Sequence, residues 1–194
     1  MNPGPQKRRF ASSAQSLRTG LFQTFVGQRD RAAMSMIGNF LQLTPNELAS
    51  LIAEPSSVEA FIYPEDDEHA NNIDVDKAWH GIHFLLTNDS WDGEPPLANV
   101  VLGGTKVGDD VGYGPAKYLT ADEVLVAASA LKHLSPEAFR ARYNAKTLLD
   151  NEIYPQIWHD DDDAVGYLTS YYETLRDYYL DAAAKGNAML KYTN

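Results

Sequence analysis

The sequence contains no cysteine. Disulfides, thiolate zinc sites, cysteine-ligated iron–sulfur clusters and thiol nucleophiles are therefore excluded. Basic side chains are scarce as well, with 16 Lys and Arg against 27 Asp and Glu in 194 residues, a formal charge of −11. A field of that sign opposes binding along a nucleic-acid backbone and favours basic protein partners or cations. Membrane spans, collagen-like repeats and wholesale disorder fit the composition poorly, because the 44% hydrophobic and 22% charged fractions are those of a globular domain. One domain is expected at this length, with roughly 68–70% of the unfolded surface buried.

The positive charge that exists is concentrated at the start. Residues 1–33 hold Lys7, Arg8, Arg9, Arg18, Arg29 and Arg31 against Asp30 alone, so the prefix is +5 and the remainder −16. This stretch lacks an apolar period and reads as a basic, disordered extension. Leu21 to Val26 is too short and too interrupted for the apolar segment of an export signal. The folded domain is expected over residues 34–194.

Along that domain, alternation from Ile37 to Leu43 predicts a strand with one buried face. Thr44-Pro45-Asn46-Glu47 is a capping box that opens a helix, and Thr120-Ala121-Asp122-Glu123 is a second. Residues 74–87 predict a helix with Val75, Trp79, Ile82 and Leu86 on one stripe, His83 at its edge, and His80 and Phe84 opposite. Residues 97–102 form a buried element of undecided type. Five glycines between Gly103 and Gly114 predict a tightly folded loop. Residues 151–158 read as extended. The longest helix carries Leu168, Tyr172, Leu175, Tyr179 and Ala182 at spacings of three and four and stops at Gly186. A last short strand, residues 188–192, is expected to pair with the first. Strands and helices without a βαβ rhythm give an α+β class, with a small mixed or antiparallel sheet, several packed helices and a long C-terminal helix.

The familiar chemical motifs are incomplete. Asp109-Asp110 stands where a phosphate loop needs Lys and Ser or Thr, and Lys117 occupies the third glycine position of a dinucleotide fingerprint. No cofactor is expected on these grounds. His80 and His83 are spaced i, i+3 without a third ligand at fixed spacing, so no metal site is assigned, and His80 is read as a surface residue. The run Asp160 to Asp163 is read as helix capping. Tyr171 and Tyr178, off the core stripe, are candidates for core packing or for a protein interface. Complete hydrolase and kinase signatures are missing.

Three stretches taken together are similar to a known family. Met36-Ile37-Gly38, the helix Asp76-Lys77-Ala78-Trp79-His80-Gly81-Ile82-His83-Phe84-Leu85-Leu86, and Tyr113-Gly114-Pro115-Ala116-Lys117-Tyr118-Leu119 resemble the bacterial YfbM-like proteins, a domain of unknown function. Asn151-Glu152-Ile153-Tyr154-Pro155 and the last helix fit the same pattern. The resemblance covers residues 36–192 and implies a compact α+β domain in a bacterial cytoplasmic protein. It implies no activity and transfers no catalytic residue.

Two functional expectations follow. One is a non-enzymatic acidic domain that binds a protein partner with a basic surface, an immunity or inhibitor role being one form. The other is a small-molecule-binding or hydrolase-type domain with a pocket formed by Trp79, His83, Tyr113, Lys117, Tyr154 and Trp158, which combine apolar walls with a few polar groups.

Overall fold

The fold is built around a sheet whose strands alternate between two covered faces. The computed structural model describes residues 35–65 and 72–194 together with Met1. The expectation of a disordered prefix, His69 and most of the acidic loop after Pro64 lie outside the described residues.

In chain order the elements are β1 (Gly38–Leu43), α1 (Pro45–Ala53), a 3₁₀ turn (Pro55–Ser57), α2 (Val58–Ile62), β2 (Asn72–Asp74), a second 3₁₀ turn (Asp76–Ala78) and α3 (Trp79–Thr87). Then follow α4 (Leu97–Val101), β3 (Thr105–Asp110), β4 (Pro115–Leu119), α5 (Ala121–Lys132), α6 (Pro136–Arg140), α7 (Ala145–Asp150), α8 (Asp162–Lys185) and β5 (Ala188–Thr193). The sheet order is β2-β1-β5-β4-β3, and every pairing is antiparallel. The class is α+β, with β5 returning to pair with β1 in the register Gly38↔Thr193 to Leu43↔Ala188.

The period of two divides the core. Phe40, Met189 and Leu119 face the larger cluster made with α3, α4, α5 and α8. Leu41, Leu43, Ala188, Leu190 and Ala116 face the smaller one under α1 and α2. Both capping boxes form: Thr44 Oγ1 accepts from Glu47 N, and Thr120 Oγ1 from Glu123 N, each glutamate answering on the cap backbone. Asp161 caps α8, and Gly186 ends it at φ 69°. The five stripe residues of α8 are fully buried; Tyr172 stacks on Phe139 at 3.9 Å and donates to Leu134 O at 2.7 Å.

Several local expectations are corrected. The helix expected over residues 74–87 starts as α-helix only at Trp79, because Val75 N is held by Gly38 O and Asp76 turns to φ 46° with its N–H on Asp74 Oδ1. The glycine segment is a bulged β3–β4 hairpin rather than a loop. Residues 97–102 are chiefly α4. Residues 151–158 are turns rather than extended chain, with Glu152 at φ 54° and Gln156 at φ 63°.

Candidate functional site

On the face of the sheet toward α4, the register sets three lysines side by side: Lys106 of β3 opposes Lys117 of β4, which opposes Lys191 of β5. Like charges opposed across strands repel. The arrangement is held by the C-terminal end of α4, whose last carbonyls have no intrahelical donor. Lys191 Nζ donates to Asn99 O and, at 2.8 Å, to Gly103 O; Lys117 Nζ donates to Leu102 O. Tyr179 Oη takes Val100 O at 2.8 Å. Cations at this end also meet the negative pole of the helix.

Lys191 is only 4% exposed, and none of the ion pairs among the described residues involves it, Lys117 or Lys106. Burial first, then the Lys117 charge, push its ammonium down to about 7 against a small opposing pull from Glu123. Lys117, half-buried, is also lowered, by burial and then by Lys106. Both lysines line a cleft of about 100 Å³ together with Phe40, Trp79, Leu102 and Tyr113.

The aromatic wall is fixed from behind. Trp79 Nε1 donates to Met36 O at 3.0 Å, and Tyr154 stacks on the indole at 5.9 Å while its hydroxyl accepts from Met36 N. Gly38 is required here, since a Cβ at that position would lie 2.7 Å from Trp79 Cβ. Tyr113 sits at the hairpin tip, where its N–H bonds Thr193 O. Asp110 Oδ1 gathers the amides of Gly112 and Gly114, which holds its carboxyl below the usual range. At Gly112, φ 151°, a Cβ would come within 2.8 Å of Thr193 O. Asp110, one of the two aspartates that argued against a phosphate loop, thus shapes the tip that carries Tyr113.

Two histidines lie buried behind this wall. His80 is a correction: it is 1% exposed, not a surface residue, stacks on Trp79 at 4.9 Å and lies tilted against Trp91 at 4.3 Å. Its Nδ1 accepts from Tyr154 N, so the proton resides on Nε2, which donates to Ser90 O at 2.7 Å. Its pKa is lowered by burial. His83 donates from Nε2 to Asp92 O at 2.9 Å and leaves Nδ1 buried without a partner. Burial is the main cause that pulls it down to about 4.

Of the six residues expected at a site, Trp79, Tyr113 and Lys117 line the cleft and Tyr154 backs it. His83 is wholly buried, and Trp158, equally buried, donates to Ile153 O at 2.7 Å within the core and packs against Gly81. Sequence reasoning missed Lys191. Its signal was present as a lysine set between the apolar run Ala188-Met189-Leu190 and Tyr192 in a central strand. Tyr178, an interface candidate, instead accepts from Gln42 N at 2.8 Å and donates to Phe40 O. Among the described residues there is no cluster of three metal-ligating side chains, and no helix is long and apolar enough to cross a membrane.

Comparison with known proteins is consistent with this architecture. The family model described as "Domain of unknown function (DUF1877)" matches residues 34–192. The crystal structure of YfbM from Escherichia coli, a protein of unknown function, is similar in fold at a TM-score of 0.64 and 23% identity, covering 81% of this chain and 99% of that one. No functionally curated protein matches the chain.

Proposed function

We propose that this chain, which belongs to the DUF1877 family of unknown function, binds a small carboxylate in the cleft between β1, β4, β5 and the end of α4. The observation that carries the reading is the pair Lys117 and Lys191, adjacent across two strands and without an ion-pair partner, in a chain whose net charge is −11. An ammonium has three N–H groups. Lys117 spends one on the end of α4, so two of its donors remain for an anion beside an apolar wall, and Lys191, which spends two there, adds a third when protonated. A cavity of about 150 Å³ accepts benzene. One of about 100 Å³ therefore encloses about four heavy atoms, which favours a short carboxylic acid.

Calorimetric titration with acetate, propanoate and benzoate tests it. Saturable binding of the two short acids, exclusion of benzoate and at least a roughly tenfold loss in Lys117→Met are expected, since a charge-assisted bond is removed. Absence of binding, or a variant that binds as well as the parent, overturns the reading.

A protein partner with a basic surface is the second reading, favoured by a separate groove of about 350 Å³ lined by Pro95, Pro96, Asp122, Glu123 and Val126. Beside it Leu125 and Val126 stand more than half exposed. An apolar anchor flanked by Lys or Arg is the matching chemistry. Once a co-purifying partner is identified, its capture should be lost in Val126→Arg and kept in Lys117→Met. Capture unchanged by Val126→Arg refutes this second reading.

A further inference from the structure

The position of Lys191 is more costly than capping a helix requires. Tyr179 satisfies Val100 O on the same helix with a neutral hydroxyl, whereas a lysine at 4% exposure desolvates a charge and does so beside a second ammonium. The hydrogen bonds suggest the reason. A neutral amine has two N–H groups and one lone pair. Lys191 Nζ has both N–H directions occupied, by Asn99 O and Gly103 O, so the lone pair is what remains uncommitted. Burial and the neighbouring Lys117 both favour the neutral form.

Resting on the carboxylate reading above, we infer that the ligand is a short 2-oxo acid and that Lys191 Nζ condenses with its carbonyl to form an imine. The lone pair of Nζ forms the bond to the carbonyl carbon, and the C=O pair moves to oxygen, which takes one proton from Nζ to give the carbinolamine. The C–O bond then breaks. Lys117 donates a proton to the departing hydroxyl, which leaves as water, and recovers the second Nζ proton. The net change is amine plus ketone to imine plus water, with no oxidant or reductant. Lys117 is placed for that exchange, because its ammonium rests on Leu102 O, next in sequence to the Gly103 carbonyl that holds Lys191. A three-carbon acid is the smallest 2-oxo acid that carries a ketone.

The test is reductive trapping of the full chain with pyruvate and sodium cyanoborohydride at pH 7, read by intact mass and peptide mapping, alongside calorimetry with propanoate. One adduct per chain on Lys191 is expected, absent in Lys191→Arg and Lys191→Met. At saturating pyruvate the adduct in Lys117→Met should form about fivefold more slowly, as for a one-unit rise from about 7 in the amine pKa at pH 7. The exposed Lys106, Lys132, Lys146 and Lys185 serve as internal references. Pyruvate adducts confined to those lysines, or none, with propanoate still bound, overturn the imine and leave the carboxylate reading standing. Loss of propanoate binding together with trapping overturns both. If neither Lys191 variant folds, the pH dependence of Lys191 labelling in the parent chain decides. Labelling that saturates near neutral pH supports the inference, and labelling that climbs only above pH 9 refutes it.

Discussion

Replacing Lys191 by methionine should change the shape of the stability–pH curve, not only its height. In the folded chain the ammonium titrates at about 7, and its ordinary value is 10.5. Between those values the unfolded chain holds a proton that the folded chain has released, so folding stability rises with pH at 1.36 kcal/mol per unit. The contribution is complete above 10.5 and is lost as pH falls through about 7; over the interval it amounts to as much as about 5 kcal/mol. Methionine has no such term. It also leaves Asn99 O and Gly103 O without their donor, at a pH-independent cost of about 1–3 kcal/mol each. Near-parity of variant and parent is thus expected at pH 6, where removal of a buried cation offsets the lost hydrogen bonds, with clear destabilisation at pH 10. Urea unfolding at fixed pH from 6 to 10 measures both curves, and subtraction cancels the titrations they share, including the tyrosines raised by burial. A difference constant across that range would refute the argument, because Lys191 would then titrate alike in both states.

The buried histidines act at the acid end. His83 falls from 6.5 to about 4 on folding, so its stabilisation is full above pH 6.5, is lost as pH falls through about 4, and reaches about 3 kcal/mol, with His80 adding in the same direction; thermal melts at pH 7 and 4.5 check this, and a flat profile in that window contradicts it. Gly38→Ala should push Trp79 off its bond to Met36 O and destabilise by about 1–3 kcal/mol, the range of overpacking, with a shifted tryptophan emission. Thr120→Ala removes the cap of α5 and should cost about 1 kcal/mol in chemical unfolding without altering acetate binding.

The parts of this protein that local rules govern were legible. Capping boxes, the left-handed stop at Gly186 and the buried stripe of α8 depend on residues within one or two turns of each other. The glycine hairpin was not legible, because glycine composition alone reads as loop, and β4, the only partner of β3 among the described residues, is itself fixed by pairing with β5 some seventy residues later. His80 was misread for a related reason. A helix covered on all sides has no polar face to reveal, and the atoms that satisfy its ring come from Ser90 and Tyr154.

The same division runs through the candidate site. Sequence alone determined the absence of thiol chemistry, the acidic balance, the α+β class and the presence of Trp79, Tyr113 and Lys117 in readable motifs. Only the tertiary structure decided that Lys117 and Lys191 oppose each other and share the carbonyl end of α4, while His83 and Trp158 sink into the core. Register and burial arise from contacts between distant segments, and no spacing within either segment encodes them.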